Sequence, residues 1–183
     1  MRLFIGLPIP AKLASAITRH ARTIPLPKAR WTTPENIHLT LVFLGEVGEP
    51  TLPSIKHELA ELIITPFPIR LTTLNTFPRA GVLIAEVDPI PHLLHLQSQI
   101  ASSVARCGLS PEDRPYHPHL TLARFHGSLH LTNTQRTLPL SLRHSFTADT
   151  INLYRSNITP NGPHYEILAQ KKSNQSKEPI MHS

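Results

Sequence analysis

The tetrapeptide His-Leu-Thr-Leu occurs twice in this chain, at residues 38–41 and at residues 119–122. Histidine titrates near neutral pH, so its ring can give or take a proton, and a threonine hydroxyl can donate a hydrogen bond. Side chains two positions apart in an extended strand lie on the same face. Each copy therefore predicts a strand that presents one imidazole and one hydroxyl together.

Two such strands that face each other across a groove would place His38 and His119 on either side of one substrate atom. A neutral histidine can deprotonate an attacking oxygen while a protonated one donates to the leaving oxygen, which suits in-line displacement at phosphorus. The hydroxyls of Thr40 and Thr121 can donate hydrogen bonds to the non-bridging oxygens as charge builds there. This chemistry requires no metal and no other cofactor.

Metal binding is the competing use of paired histidines. His38, His117 and His119 could form a three-histidine site, but the neighbouring sequence offers no clear carboxylate ligand, and threonine is a poor ligand for divalent metals. Nucleophilic catalysis has less support because there is no G-x-S-x-G motif and Cys107 lies at the end of a predicted helix. The sequence therefore favours acid–base chemistry over a metal site.

The elements that must position these residues follow from the spacing of apolar residues. The predicted helices cover residues 11–23, 52–64 and 91–107. The predicted strands cover residues 2–7, 37–44, 69–77, 81–87, 119–125, 146–156 and 164–170. Joins as short as residues 78–80 allow only tight turns, so the order predicts an α+β fold with mainly antiparallel sheet. Strict alternation in the strand over residues 37–44 places Phe43 in the core.

The chain is basic, with 18 Lys and Arg against 12 Asp and Glu and a formal net charge of +6. This charge predicts attraction to polyanions such as nucleic acid, although no dense basic block is present. Aromatic residues make up only 5% of the chain, which argues against a broad base-stacking platform.

Other features of the sequence concern location and the two ends of the chain. The one cysteine, Cys107, suits a reducing compartment, and we expect the cytoplasm. No run approaches the ~18 apolar residues of a membrane span. The N-terminal residues 3–7 are interpreted as a first core strand rather than part of a signal peptide, because prolines 8 and 10 interrupt the apolar run. Residues 173–183 are polar and aperiodic and are expected to form a disordered tail.

The doubled motif and its flanks resemble a known family. The stretches "HLTLVFLGEV" and "HPHLTLARF" resemble the two signature motifs of the two-histidine phosphoesterase superfamily, and specifically its RNA 2′,3′-cyclic phosphodiesterase branch, also called 2′-5′ RNA ligase. "RLFIGLPIP" resembles the opening strand of that branch, "RWTTPENIHLTLVFLGE" the segment that leads into the first motif, and "LYRSNITPNGPHYEIL" the closing hairpin. The resemblance covers about residues 2–170.

The resemblance implies one bilobal, pseudo-symmetric domain over residues 1–172, with antiparallel sheets, helices on the outside and a central cleft. It implies hydrolysis of RNA 2′,3′-cyclic phosphate ends to 2′-phosphomonoesters, together with reversible 2′-5′ RNA ligation. By the same resemblance His38 would donate a proton to the departing 3′ oxygen and His119 would accept one from water. Thr40 and Thr121 would hold the phosphoryl oxygens.

Three further residues are candidates for substrate binding. Arg124 matches a basic position after the second motif, but strict alternation puts it on the face opposite to His119, so it reaches the phosphate only if the strand ends or bulges near Ala123. Arg30 and Trp31 precede the first motif and could hold a nucleotide by charge and stacking. Residues on the closing hairpin that could line the groove by analogy are Tyr154, Arg155, Ser156 and Tyr165.

The expected partner is RNA with 2′,3′-cyclic phosphate termini, bound by a monomer that does not contact a membrane. Two alternatives stay open. One is a phosphodiesterase that acts on a small cyclic nucleotide phosphate, and the other is an RNA-binding module whose histidine pair is not catalytic. A comparison of the rates on cyclic-phosphate-ended RNA and on the small nucleotide distinguishes the first alternative from the RNA phosphodiesterase. The second alternative predicts that the unmutated protein has no turnover.

Overall fold

A computed structural model describes residues 1–26, 28–110, 114–160 and 162–173 of the 183-residue chain. Most of the predicted tail, residues 174–183, lies outside the described residues. Ser173 is described, and its amide donates a hydrogen bond to the carbonyl oxygen of Asp149 at 2.6 Å.

All seven predicted strands and three predicted helices are present in the predicted order, two of the strands each in two pieces. A two-residue strand and a four-residue helix that the sequence did not predict bring the described residues to ten strands and four helices. The strands are β1 (Arg2–Pro8), β2 (Arg30–Trp31), β3 (His38–Glu46), β4 (Phe67–Ile69), β5 (Leu71–Phe77), β6 (Val82–Val87), β7 (His119–Arg124), β8 (Phe146–Ala148), β9 (Thr150–Thr159) and β10 (Gly162–Lys172). The helices are α1 (Ala11–Ala21), α2 (Leu52–Glu61), α3 (Pro91–Arg106) and α4 (Asn133–Arg136). Single 3₁₀ turns lie at Pro34–Asn36, Glu49–Thr51, Pro78–Ala80 and Leu140–Leu142.

The main sheet has the strand order β10-β9-β1-β3-β7-β6-β5, with β2 added beside β7, and every pairing in it is antiparallel. The two motif strands, β3 and β7, are neighbours in the middle of this order. They pair through Leu39 and Leu120, both of which are fully buried. The α+β fold with mainly antiparallel sheet is thus confirmed, and the core lies on the sheet face opposite to the motif histidines.

The predicted strands over residues 69–77 and 146–156 are each divided in two. The break in the first falls at Arg70, whose side chain bonds to Asp88 at 2.7 Å, and the break in the second falls at Asp149. The detached pieces, β4 and β8, pair with each other in a separate two-stranded sheet. A break of one residue leaves the alternation of apolar residues nearly intact, so periodicity alone does not show it.

A β-bulge interrupts β3 directly after its motif threonine. Residues 5 and 6 of β1 pair with Val42 and Thr40 respectively, so Leu41 has no partner in β1. Leu41 and Val42 are consequently both buried, and Phe43 turns to the other face, where it is 53% exposed. The prediction that Phe43 lies in the core is wrong, because the extra residue reverses the alternation of faces after the motif.

The same bulge occurs at the corresponding position of β7. Residues 83 and 84 of β6 pair with Ala123 and Thr121 respectively, so Leu122 has no partner in β6. Leu122 and Ala123 are both buried, and Arg124 is exposed. The bulge therefore brings Arg124 onto the same sheet face as Thr121. A bulge near Ala123 is what the sequence analysis required for Arg124 to reach that face.

Strands β1 and β3 approach each other closely because β1 has a glycine beside the motif. A Cβ atom at Gly6 would lie 2.8 Å from the carbonyl oxygen of Leu39. Any side chain at this position would push the two backbones apart, and the side chain of His38 would move with its strand. The glycine in the opening strand is thus a requirement of the site.

Candidate active site

A cleft with a volume of about 490 Å³ opens on the polar face of β3 and β7. This volume falls in the range of small-molecule sites. The cleft is lined by β1, β2, β3, β7 and the β9–β10 hairpin. It contains six of the seven predicted site residues, namely Arg30, Trp31, His38, Thr40, Thr121 and Arg124. The seventh, His119, is not part of this lining and lies at its margin, beside the lining residue Thr40.

The antiparallel register relates the two motifs by a local two-fold axis. Leu39 lies opposite Leu120 in the antiparallel pairing of β3 with β7. One residue to either side of this pair, His38 therefore lies beside Thr121 and Thr40 lies beside His119. Each imidazole therefore has the hydroxyl of the other motif as its cross-strand neighbour. Such an arrangement can hold one phosphoryl group between two proton-transfer groups and two hydrogen-bond donors.

Both motif histidines have their ring orientation set in the same way. Nδ1 of His38 lies 2.7 Å from the carbonyl oxygen of Asn36, and Nδ1 of His119 lies 2.7 Å from the carbonyl oxygen of His117. A carbonyl oxygen only accepts, so Nδ1 of each ring donates its hydrogen, and Nε2 is left for proton transfer. The backbone of His117 therefore fixes the tautomer of His119.

His38 lies in an aromatic setting. Its ring stacks on Phe4 at 4.6 Å between centroids, and Tyr165 contacts it edge-on at 5.0 Å. The pKa of His38 is lowered from 6.5 to about 4, mainly by burial. The hydrogen bond to the Asn36 carbonyl raises this pKa, and the nearby His119 lowers it. In the free protein His38 is therefore neutral at pH 7.

His119 has different surroundings. Its ring contacts Phe77 edge-on at 5.2 Å and His117 at 5.9 Å. Burial is the main cause that lowers the pKa of His119, against the hydrogen bond to the His117 carbonyl, which raises it. The His117 ring and the guanidinium of Arg124 lower this pKa further, whereas the carboxylate of Glu86 raises it. Glu86 faces His119 across the β6–β7 pairing. The two imidazoles thus differ in that a carboxylate lies near His119.

Glu86 itself is held in place by β5. The hydroxyl of Thr73 and the side-chain amide of Asn75 each donate to its carboxylate at 2.8 Å, and Nε2 of His117 lies 3.5 Å from it. Sequence reasoning missed this group because Glu86 stands 33 positions before His119, in a different strand. The signal that could have found it is a charged side chain inside the otherwise apolar run "VLIAEV".

Three arginines line the cleft and give it positive charge. Arg30 pairs with Arg124 across β2 and β7, and Arg2 projects from β1. Trp31 follows Arg30 in the lining, and the guanidinium of Arg22 lies 5.5 Å from the centre of its ring. The cleft therefore has the positive charge and the aromatic surface that the sequence predicted from Arg30 and Trp31.

The closing hairpin contributes two of its four predicted residues. Ser156 and Tyr165 line the cleft, whereas Tyr154 is buried at 8% exposure and Arg155 forms an ion pair with Glu166. The hairpin is attached to the start of β3, because the side chain of Asn36 donates to the carbonyl oxygen of Pro163 at 2.8 Å. The lining also includes residues that the sequence analysis did not name as site residues, among them Arg2, Phe4, Asn36, Phe43 and Ile158.

Within the described ranges, no three His, Cys, Asp or Glu side chains come together as a metal site would require, so the three-histidine alternative does not appear there. The helices in this part of the chain include none long and apolar enough to cross a membrane.

An antiparallel sheet that joins two His-x-Thr strands at the floor of one cleft defines the class of two-histidine phosphoesterases. The model of the 2′-5′ RNA ligase superfamily matches residues 10–158, and this chain belongs to that family. The resemblance inferred from the motifs is thus confirmed.

Individual relatives agree with this assignment. The chain is 29% identical over 179 residues to the RNA 2′,3′-cyclic phosphodiesterase of Methanocaldococcus jannaschii, which covers 93% of this chain and 99% of the relative. It is 32% identical over 183 residues to the RNA 2′,3′-cyclic phosphodiesterase of Thermus thermophilus, and the match covers 92% of this chain and 88% of that relative. The crystal structure of Escherichia coli LigT complexed with 3′-AMP superposes with a TM-score of 0.81 at 27% sequence identity, and the superposition covers 95% of this chain and 98% of the LigT chain.

Proposed function

We propose that this protein hydrolyses RNA 2′,3′-cyclic phosphate ends to 2′-phosphomonoesters by acid–base catalysis with His38 and His119, without a metal. The observation that carries the proposal is the two-fold arrangement of two tautomer-fixed imidazoles and two threonine hydroxyls on paired strands, with His38 and both threonines in the lining of one cleft and His119 beside it. The names of the relatives support the same substrate.

The proposed reaction has one displacement step. Nε2 of neutral His119 takes a proton from the attacking water, whose oxygen forms the new bond to phosphorus. The bond between phosphorus and the 3′ oxygen breaks, and protonated His38 gives its proton to that oxygen. The step leaves a 2′-phosphate, a neutral His38 and a protonated His119, and exchange of protons with solvent restores the starting state.

The non-bridging oxygens gain negative charge as the water attacks. Hydroxyls of Thr40 and Thr121 donate hydrogen bonds to them, and the guanidinium of Arg124 neutralises part of their charge. Arg30 and Trp31 hold the terminal nucleotide. When a 5′-hydroxyl end replaces water as the attacking group, the same step breaks the bond between phosphorus and the 3′ oxygen and joins the two RNA ends by a 2′-5′ linkage. By microscopic reversibility the same groups also cleave that linkage.

The remaining parts of the proposal concern the molecule as a whole. Residues 1–172 act as one bilobal domain, supported by the pairing of β3 with β7, which joins the two halves of the main sheet. The protein acts as a monomer on RNA in the cytoplasm, a location supported by its one free cysteine, Cys107.

Incubation of the protein in EDTA with an oligoribonucleotide that ends in a 2′,3′-cyclic phosphate is expected to yield a 2′-phosphate. Phosphorus NMR assigns the position of the product phosphate, because the 2′ and 3′ monoesters differ in their coupling to ribose protons. The matched controls are His38→Ala and His119→Ala, prepared in the same way. Loss of turnover in EDTA would favour a metal mechanism, and a 3′-phosphate product would contradict the assigned bond cleavage.

The pH dependence of catalysis is expected to differ between the free protein and its complex. Because both histidines have pKa values below 6.5 in the free protein, kcat/KM should follow a bell with its maximum below pH 6.5. The anionic cyclic phosphate stabilises protonated His38, which raises its pKa, so the alkaline limb of kcat should lie at higher pH. Initial rates measured from pH 4 to 9 test this. A flat profile, or a kcat/KM maximum above pH 7.5, would be inconsistent with paired acid and base.

A further inference from the structure

The net positive charge of this protein comes from one end of its sequence. Residues 1–34 contain six basic residues (Lys or Arg) and no acidic residue (Asp or Glu), whereas residues 35–183 contain twelve basic and twelve acidic residues. The whole net charge of +6 is therefore carried by the first 34 residues, which include β1, α1 and β2. A polyanion is attracted to this part of the molecule more strongly than to the remainder.

This basic segment is continuous with the cleft. Arg2, Arg30 and Trp31 line the cleft, and the exposed side chain of Arg22, at the C-terminal end of α1, lies over the Trp31 ring at 5.5 Å. Arg22 has no acidic partner among the ion pairs of the described residues. Its charge is therefore available to a ligand that extends beyond the rim of the cleft at Trp31.

The exposed side of α1 extends this charge further. Lys12, Arg19 and Arg22 are all exposed, and their spacing of seven and three residues places them along one side of the helix. Ten residues of helix span about 15 Å. A stacked nucleic acid strand has one phosphate per ~3.4 Å, so this side can face roughly four phosphates.

We propose that the RNA strand on the 5′ side of the cyclic phosphate leaves the cleft past Trp31 and binds through its phosphates to the exposed side of α1, with Arg22 as the first contact. The inference rests on the proposed function, because the catalytic histidines fix the 3′ end of the strand in the cleft. A cleft of about 490 Å³ holds the terminal nucleotide, and the preceding nucleotides must lie on the surface. The protein is therefore built for RNA chains rather than for single nucleotides.

Trp31 is the one tryptophan of the chain, so its fluorescence reports binding directly. The probe is an eight-nucleotide oligoribonucleotide with a 2′-phosphate end, titrated at several salt concentrations beside the 2′-phosphorylated mononucleotide. The Arg22→Ala variant is expected to bind the oligonucleotide about fivefold more weakly at low salt and to reduce the slope of log K against log salt by about 0.7. Arg22→Lys should retain the slope, because it keeps the charge.

Lys56→Ala is the matched control, since it removes one exposed positive charge from α2, outside both the basic segment and the cleft lining. Its oligonucleotide affinity and salt slope should stay close to those of the unmodified protein. Equal effects of Arg22→Ala and Lys56→Ala, or an equal loss of affinity for the mononucleotide and the oligonucleotide in Arg22→Ala, would overturn the inference.

Turnover separates this inference from the proposed function. On cyclic-phosphate-ended substrates, Arg22→Ala should lower kcat/KM for the oligonucleotide at least threefold more than for the mononucleotide. A protein that hydrolyses both substrates without this difference keeps the proposed function and loses the inference. A protein that hydrolyses neither loses the proposed function, and the fluorescence titration then decides the inference on binding alone.

Discussion

Replacing His38 with alanine is expected to lower kcat on a cyclic-phosphate-ended oligoribonucleotide by about 10² to 10⁴, and His119→Ala by a similar factor. Each substitution removes one of two proton transfers in the same step, so the double variant should lose much less than the product of the two factors. Quenching of Trp31 fluorescence should show that RNA affinity changes little. Equal, near-complete retention of kcat in both variants would contradict the catalytic assignment.

A substrate with sulfur in place of the 3′ oxygen distinguishes the two roles. A thiolate is a far better leaving group than an alkoxide, because a thiol has a pKa near 8.5, so its departure requires no proton donor. The loss caused by His38→Ala should therefore shrink on this substrate, while the loss caused by His119→Ala should persist. The opposite pattern would exchange the acid and base assignments of the two histidines.

Gly81→Ala is expected to destabilise the protein by about 3 kcal/mol or more. Gly81 has a φ of 60°, and a Cβ atom there would lie 2.2 Å from the carbonyl oxygen of Phe125, so both the backbone conformation and the space exclude a side chain. The amide of Phe125 also donates to the carbonyl oxygen of Gly81 at 2.7 Å, which fixes the chain directly after Arg124. Urea denaturation measures the loss of stability, and kcat/KM should fall with it.

Gly108→Ala is the matched control for this substitution. Gly108 has a φ of 76°, but a Cβ atom there meets nothing within 4 Å. Its replacement should therefore cost only the conformational part, about 1 to 2 kcal/mol. Equal losses at the two glycines would show that the β6–β7 end yields to the added methyl group and does not fix Arg124.

The histidine pair that we propose as catalytic could be picked out from the sequence because a four-residue pattern occurs twice, and the structure places the two copies on paired strands. Phe43 and Arg124 were not predictable in the same way, since their direction depends on bulges that are set by the register with β1 and β6. An inserted residue within a strand leaves no mark in the composition of that strand.

Glu86 illustrates a second limit of the sequence. Its place near His119 arises from the pairing of β6 with β7, and such pairings between distant segments are properties of topology. The aromatic contacts of Phe4 and Tyr165 with His38 arise in the same manner, from the strand order β10-β9-β1-β3. The order of the main elements could be predicted from the sequence, whereas the surroundings that lower the pKa of each histidine could not.

The local two-fold axis through Leu39 and Leu120 raises a question of regiochemistry. A fully symmetric site would accept the five-membered cyclic phosphate in two orientations related by rotation, and either the 2′ or the 3′ oxygen could then face the proton donor. The two halves are unequal, because the residue after the bulge is Phe43 in one strand and Arg124 in the other. We expect the apolar ring on one side and the guanidinium on the other to remove this degeneracy, so that under the proposed mechanism the difference between the two repeats selects which ring bond opens.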